Sequence, residues 1–142
     1  KDYAVPVLEG SSDKVLAAGI GHMDDTADAG AEGNYVLAAH RVTHGEPFAD
    51  FPDVRPGDEV IVETRVATYT YVLDTGGEDL ILPFDQTWVL DPAPKNPKSG
   101  GVQPPADAGT SLITLVTCSE IFHTDNRSVV FGHLVKTDPV QP

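Results

Sequence analysis

The single cysteine of the chain, Cys118, closes an apolar, β-type run, Ser111-Leu112-Ile113-Thr114-Leu115-Val116-Thr117-Cys118, and Arg127 follows nine residues later. Far upstream a second apolar run, Tyr35-Val36-Leu37-Ala38-Ala39, ends on His40. A thiolate is a strong nucleophile that needs assistance at neutral pH. An imidazole can hold its proton or hand it to a leaving amine. A guanidinium stays charged and can steady a carbonyl oxygen as it becomes negative. Brought together, Cys118, His40 and Arg127 suit acyl transfer through a thioester. Each also has a plain structural reading: a small core thiol, a satisfied core histidine at a strand end, and a solvated arginine paired with Asp125 or Glu120. Spacing alone does not choose between the two.

Metal chemistry finds less support. His22, His40, His44, His123, His133 and Cys118 have none of the tight spacings of a structural zinc site. Asp24, Asp25 and Asp28 cluster near His22 without the spacing of an EF-hand loop. No glycine-rich loop joins a strand to a helix as nucleotide phosphates require. No metal site and no cofactor are expected.

Two strands must deliver the thiol and the imidazole, and the rest of the chain reads as the sheet around them. Twelve prolines and thirteen glycines divide it into short pieces, which favours a β-barrel or sandwich with a little helix. Tyr3 to Leu8 reads as a strand, and Ser11-Ser12-Asp13 as the cap of a short helix through Lys14 to Ala18. Gly21 to Gly33 reads as a polar loop. Arg55-Pro56-Gly57-Asp58 is a turn. It leads into a two-stranded ribbon, Glu59 to Glu63 and Thr68 to Leu73, with one wet face. Leu80 to Leu82 and Trp88 to Leu90 read as short strands. Asp91 to Gly109 holds five prolines and reads as one long loop, a kind that in compact domains is often functional. Ser111 to Cys118 and Ser128 to Val135 are the last strands.

At 142 residues the chain suits one domain, 1–142, with a real core. No apolar stretch approaches the ~18–20 residues of a membrane span, and no signal peptide opens the sequence. The net charge of −13 argues against sequence-independent nucleic-acid binding and against docking on anionic lipid, both of which need cationic surface. One cysteine cannot form an internal disulfide.

Thr114-Leu115-Val116-Thr117-Cys118 matches the TLxTC signature of the sortase family. Asn34-Tyr35-Val36-Leu37-Ala38-Ala39-His40-Arg41 resembles the sortase strand that ends on the catalytic histidine, and Arg127 with Val129-Val130-Phe131-Gly132 resembles the sortase arginine and the strand behind it. Gly45-Glu46-Pro47-Phe48, Arg55 to Val60, Tyr69 to Val72, Val5 to Gly10 and Gly19 to His22 also look like family segments, so the resemblance spans nearly the whole chain. His40-Arg41 and the short step from Cys118 to Arg127 are most similar to class E, the housekeeping type of high-GC Gram-positive bacteria. Ala39 stands where a glycine is common, and His44 where tyrosine is often found. Both departures bear on subclass and substrate preference.

The resemblance implies a closed, mainly β sortase barrel of about eight strands with short helices, and a cysteine transpeptidase. Cys118, His40 and Arg127 would be its catalytic residues, with Thr117 and Ser119 lining the substrate groove. The Ser119 to Asn126 loop would form one groove wall and the Asp91 to Gly109 loop a second wall or flap. The substrate would be an LPxTG- or LAxTG-type sorting signal cleaved between Thr and Gly, and the acceptor a peptidoglycan-precursor amine. The enzyme would work at the outer face of the cytoplasmic membrane, held there only by an N-terminal anchor absent from this chain. The alternative is a secreted β-rich binding module or an inactive sortase relative.

Overall fold

The computed structural model describes residues 7–9, 20–23, 26–40, 54–76, 79–83, 88–97, 101–105, 107–118 and 126–139, with positions 7–9, 39–40, 83, 117–118 and 126 through their backbone alone. Among the described residues eight strands appear: β1 (Val7–Glu9), β2 (Ile20–His22), β3 (Gly33–His40), β4 (Glu59–Glu63), β5 (Ala67–Leu73), β6 (Ile81–Pro83), β7 (Ser111–Cys118) and β8 (Asn126–Pro139). They form one sheet in the order β1-β2-β3-β7-β8-β5-β4, with β6 beside β8. The β1–β2 and β3–β7 pairs are parallel and the others antiparallel. The sheet curls into a half-barrel. Among the described residues no helix is long and apolar enough to cross a membrane.

The centre of the sheet follows from composition. Residues 112–116 of β7 and 34–38 of β3 are buried on consecutive positions, the pattern of strands covered on both faces. Their Val, Ile, Leu and Thr side chains fit a pleated, crowded surface. Strand β8 holds the half-barrel together by changing partners. Its first residues, 126–128, pair with β6, and residues 132–139 pair with β5 along the same edge, while β7 takes the other. Between Thr70↔Lys136 and Tyr71↔Leu134 the register shifts, leaving Val135 as an extra residue, and such a bulge bends and twists its strand. In the turn before β4 the Asp58 amide donates to the Arg55 carbonyl at 3.1 Å, with φ of 96° at Gly57. Pro followed by a positive-φ Gly is the type II arrangement.

Two cores result, one on each face. Tyr35, Leu37, Val62, Tyr71, Leu73, Ile113, Leu115 and Val130 make one. Val36, Leu80, Val89, Val116, Val129 and Phe131 make the other, with Met23, Leu82, Trp88, Leu90 and Val102 packed against it.

Several expectations need correction. Trp88–Leu90 is a single 3₁₀ turn rather than a strand. Gly21 and His22, read as the start of a loop, belong to strand β2 and pair with Ala38 and Leu37. The strand read at Leu80 to Leu82 is Ile81–Pro83. Of the strand read from Tyr3 to Leu8, only Val7 onward falls among the described residues, where β1 runs to Glu9. The helix read from Lys14 to Ala18 lies outside them.

Candidate functional site

Pairing register brings the three candidate positions into one row. In the parallel β3–β7 pair His40 is the partner of Cys118, and in the antiparallel β7–β8 pair Cys118 is the partner of Arg127. Three consecutive strands therefore present their backbones side by side at these positions, with neighbours at the ~5 Å spacing of a sheet. Arg127 lies inside β8 rather than in the loop before it, is half-buried, and faces Leu82 of β6 on its other side. The next row is Ala39, Thr117 and Ser128, so Thr117 adjoins the row of candidate positions. Ser119 and the rest of the loop up to residue 125 lie outside the described residues.

The strand period of two fixes which residues underlie the row. Counting back by twos gives Ala38–Val116–Val129 and then Val36–Thr114–Phe131. These rows belong to the second core, which the 3₁₀ turn and Val102 of the proline-rich loop cover. Trp88 and Phe131 meet at a ring-centroid distance of 5.9 Å. The Asp91 to Gly109 loop therefore leans on the face that leads to His40, Cys118 and Arg127. No strand interrupts its described residues.

The sequence reading passed over a buried polar network in this face. Thr114 is 0% exposed, and Asn34 is 1% exposed. The Thr114 hydroxyl donates to Asn34 Oδ1 at 2.7 Å. Asn34 Nδ2 donates to the carbonyls of Val89 at 2.8 Å and Asp91 at 3.0 Å. The available signal was an asparagine inside a run of buried apolar residues, a type depleted in strands.

Other candidate ligands have structural partners. His22 is buried against Tyr35, with ring centroids 4.9 Å apart. Its Nε2 lies 2.8 Å from the Ala27 carbonyl. A carbonyl can only accept, so this nitrogen carries the proton. His133 Nδ1 lies 2.8 Å from Asp74 Oδ2. His44, His123, Asp24 and Asp25 fall outside the described residues. Among the described residues one ionisable group is clearly perturbed: burial pushes the Tyr71 phenol above its ordinary value, opposed in part by the Gly30 amide, which donates to the phenol oxygen at 2.7 Å.

The comparisons with known proteins point to one family. The family model described as a sortase domain matches residues 1–135. The sortase SrtE1 of Streptomyces coelicolor is 38% identical over 149 residues, covering 97% of this chain and 39% of that protein. Sortase SrtE2 of the same organism is 32% identical over 140 residues, covering 94% and 52%. The chain thus spans about two-fifths to half the length of these curated relatives. Among solved structures, sortase E from Streptomyces avermitilis superposes with a TM-score of 0.77 at 39% identity, covering 97% of this chain and 84% of that one. Sortase E1 from Streptomyces coelicolor, solved with a tripeptide in the active site, gives 0.74 at 35% identity, covering 97% and 86%. Family match, sequence identity and superposition agree, and the chain belongs to the sortase family, resembling its class E members.

Proposed function

We propose that this chain is a cysteine transpeptidase that cuts the Thr–Gly bond of an LPxTG- or LAxTG-type sorting signal and joins the new Thr end to a cell-wall amine. The row His40–Cys118–Arg127 supports this reading most. In it, the Cys118 thiolate attacks the Thr carbonyl carbon, forming a C–S bond. Arg127 holds the oxygen that becomes negative. The C–N bond to Gly then breaks, and His40 gives its proton to the departing amine. An acceptor amine attacks the thioester, losing a proton to His40. The new C–N bond forms and the thiolate leaves. Water in place of the amine yields hydrolysis.

Thr117, one row from the reactive positions, together with Ser119, lines the groove in this reading, and the Asp91 to Gly109 loop forms a wall. The crystal structure of the Streptomyces coelicolor sortase E1 with a tripeptide in its active site supports a peptide substrate here. The 142 residues form one catalytic domain, and an N-terminal anchor elsewhere in the protein holds it at the outer face of the cytoplasmic membrane of a Gram-positive bacterium.

Incubating the purified domain with paired LAxTG and LPxTG peptides and an amine acceptor, with mass-spectrometric readout, tests this. Cleavage after Thr with the acceptor joined is expected. Cys118→Ala should lower turnover by at least about 10³-fold, as removing a nucleophile does elsewhere. No product from any peptide, and no acyl adduct on Cys118, would instead favour a binding module or an inactive relative.

A further inference from the structure

We propose that Asn34 is a positioning residue for the transpeptidase reading above: it fastens the root of the proline-rich loop to the nucleophile-bearing strand, so that the groove wall stands preformed. The inference rests on that reading and on a network with little freedom. Asn34 and Thr114 are almost wholly inaccessible to solvent, so water cannot replace a lost partner. The amide has one workable orientation: two carbonyls face Nδ2 and one hydroxyl faces Oδ1. A flipped amide would set an acceptor against two acceptors. The two carbonyls belong to Val89, inside the 3₁₀ turn, and Asp91, just after it, where backbone acceptors lack intrahelical donors. Asn34 thus caps the turn that opens the loop.

The far end of the loop is tied beside the same residue, because the Gly33 amide donates to the Thr110 carbonyl at 2.7 Å. A second asparagine braces the middle. The Asn96 amide N–H donates to Gln103 Oε1 at 2.8 Å, and Asn96 Nδ2 donates to the Val102 carbonyl at 3.0 Å. Gly101 lies so close to the Asn96 side chain that a Cβ would collide with it. Val102 then packs on the core beneath the reactive row. Both roots of the loop are held by adjacent residues of β3, and the Thr114 end of the clamp lies four residues before Cys118, about 13 Å along the strand. A wall held this way costs less to order when substrate binds. Asn34 therefore acts on substrate affinity and not on the chemical step.

The test compares wild type, Asn34→Ala, Thr114→Val and Thr114→Ser. It reads KM and kcat on a LAxTG peptide, the urea midpoint, and hydrogen exchange in residues 91–105. Thr114→Val keeps the shape, deletes the donor and leaves Asn34 Oδ1 unsatisfied, whereas Thr114→Ser keeps the hydroxyl. Asn34→Ala and Thr114→Val should raise KM about tenfold, with kcat held within about threefold, and speed exchange in 91–105. Thr114→Ser should match wild type. The proposal is overturned if Thr114→Val and Thr114→Ser behave alike, if kcat falls with KM unchanged, or if exchange in 91–105 does not change. Should Asn34→Ala fail to fold, the two Thr114 variants decide. Should wild type process no peptide, the transpeptidase reading falls, and exchange alone decides whether Asn34 anchors the loop.

Discussion

Alternate residues of β3, β7 and β8 build two faces of different character. On one, Tyr35, Leu37, Ile113, Leu115 and Val130 pack against Tyr71, Leu73 and Val62, all supplied by strands. The curl of the sheet covers this face with more sheet. On the other, Val36, Val116, Val129 and Phe131 meet Leu80, Val89 and Trp88 from irregular chain. A strand satisfies its own backbone through ladder bonds, but a covering loop must find partners one at a time. The Asn34–Thr114 pair occurs on the second face for that reason. The loop cover lies on the face that leads to the row His40, Cys118 and Arg127. Transpeptidase specificity and fold stability should therefore separate by face.

The largest test of that separation is Phe131→Ala. Its fully buried ring bears on Trp88, and truncation should cost about 3–5 kcal/mol, read as a lower urea midpoint. Because Trp88 opens the 3₁₀ turn that roots the loop, peptide KM should rise as well. Gly132→Ala addresses the opposite face. A Cβ there would lie 2.7 Å from the Val72 carbonyl oxygen, 2.9 Å from Ile113 Cγ2 and 3.0 Å from Leu73 Cδ2. Since the nearest atom is backbone, the strands must part, at about 1–3 kcal/mol. The midpoint should fall while KM holds, and an equal rise in KM for both variants would erase the distinction between faces.

The smallest effect is expected at Tyr71. Its neutral phenol is favoured in the folded state, where burial raises the pKa above the ordinary tyrosine value of 10.0. Between that value and the folded one, the unfolded chain has lost the proton and the folded chain keeps it. Stability is therefore full below pH 10 and declines as pH rises through this window. Tyr71→Phe should cost about 1 kcal/mol by removing the acceptor for the Gly30 amide. It should also flatten the alkaline decline in the pH dependence of the urea midpoint, without changing KM.

The legible parts of the fold were those with a hydropathic signature. Strand β7 spans the apolar run read from Ser111 to Cys118, because residues 112–116 are buried on both faces and a turn precedes it. The β4–β5 ribbon was legible from its alternation, and its pairing sets Val60 opposite Tyr71 and Val62 opposite Tyr69. Strand β8 runs on to Pro139, beyond the expected Val135, because β5 pairs with its backbone while residues 135–139 stay exposed. An exposed strand end leaves no hydropathic trace. Trp88–Leu90 misled for a related reason: three apolar residues carry no period that tells strand from turn. Within the candidate site, the TLxTC run, His40 and Arg127 stood out by residue type and by family resemblance. Their shared row could not be read from spacing, because register emerges only when three separated strands pair. Asn34 was hidden for the same reason, since its partners lie 55, 57 and 80 residues away.

The parallel union of β3 and β7 has a kinetic consequence. Its pairs, from Gly33↔Ser111 to His40↔Cys118, join segments that the chain must bring together across most of its length. Closing such a loop incurs an entropic cost before any contact repays it, and folds rich in distant pairings cross their barriers in roughly milliseconds to seconds. Cys118 and His40 would then become neighbours only late in folding, when the nascent sheet is nearly complete. A chain halted before β7 would hold the histidine with no thiol beside it.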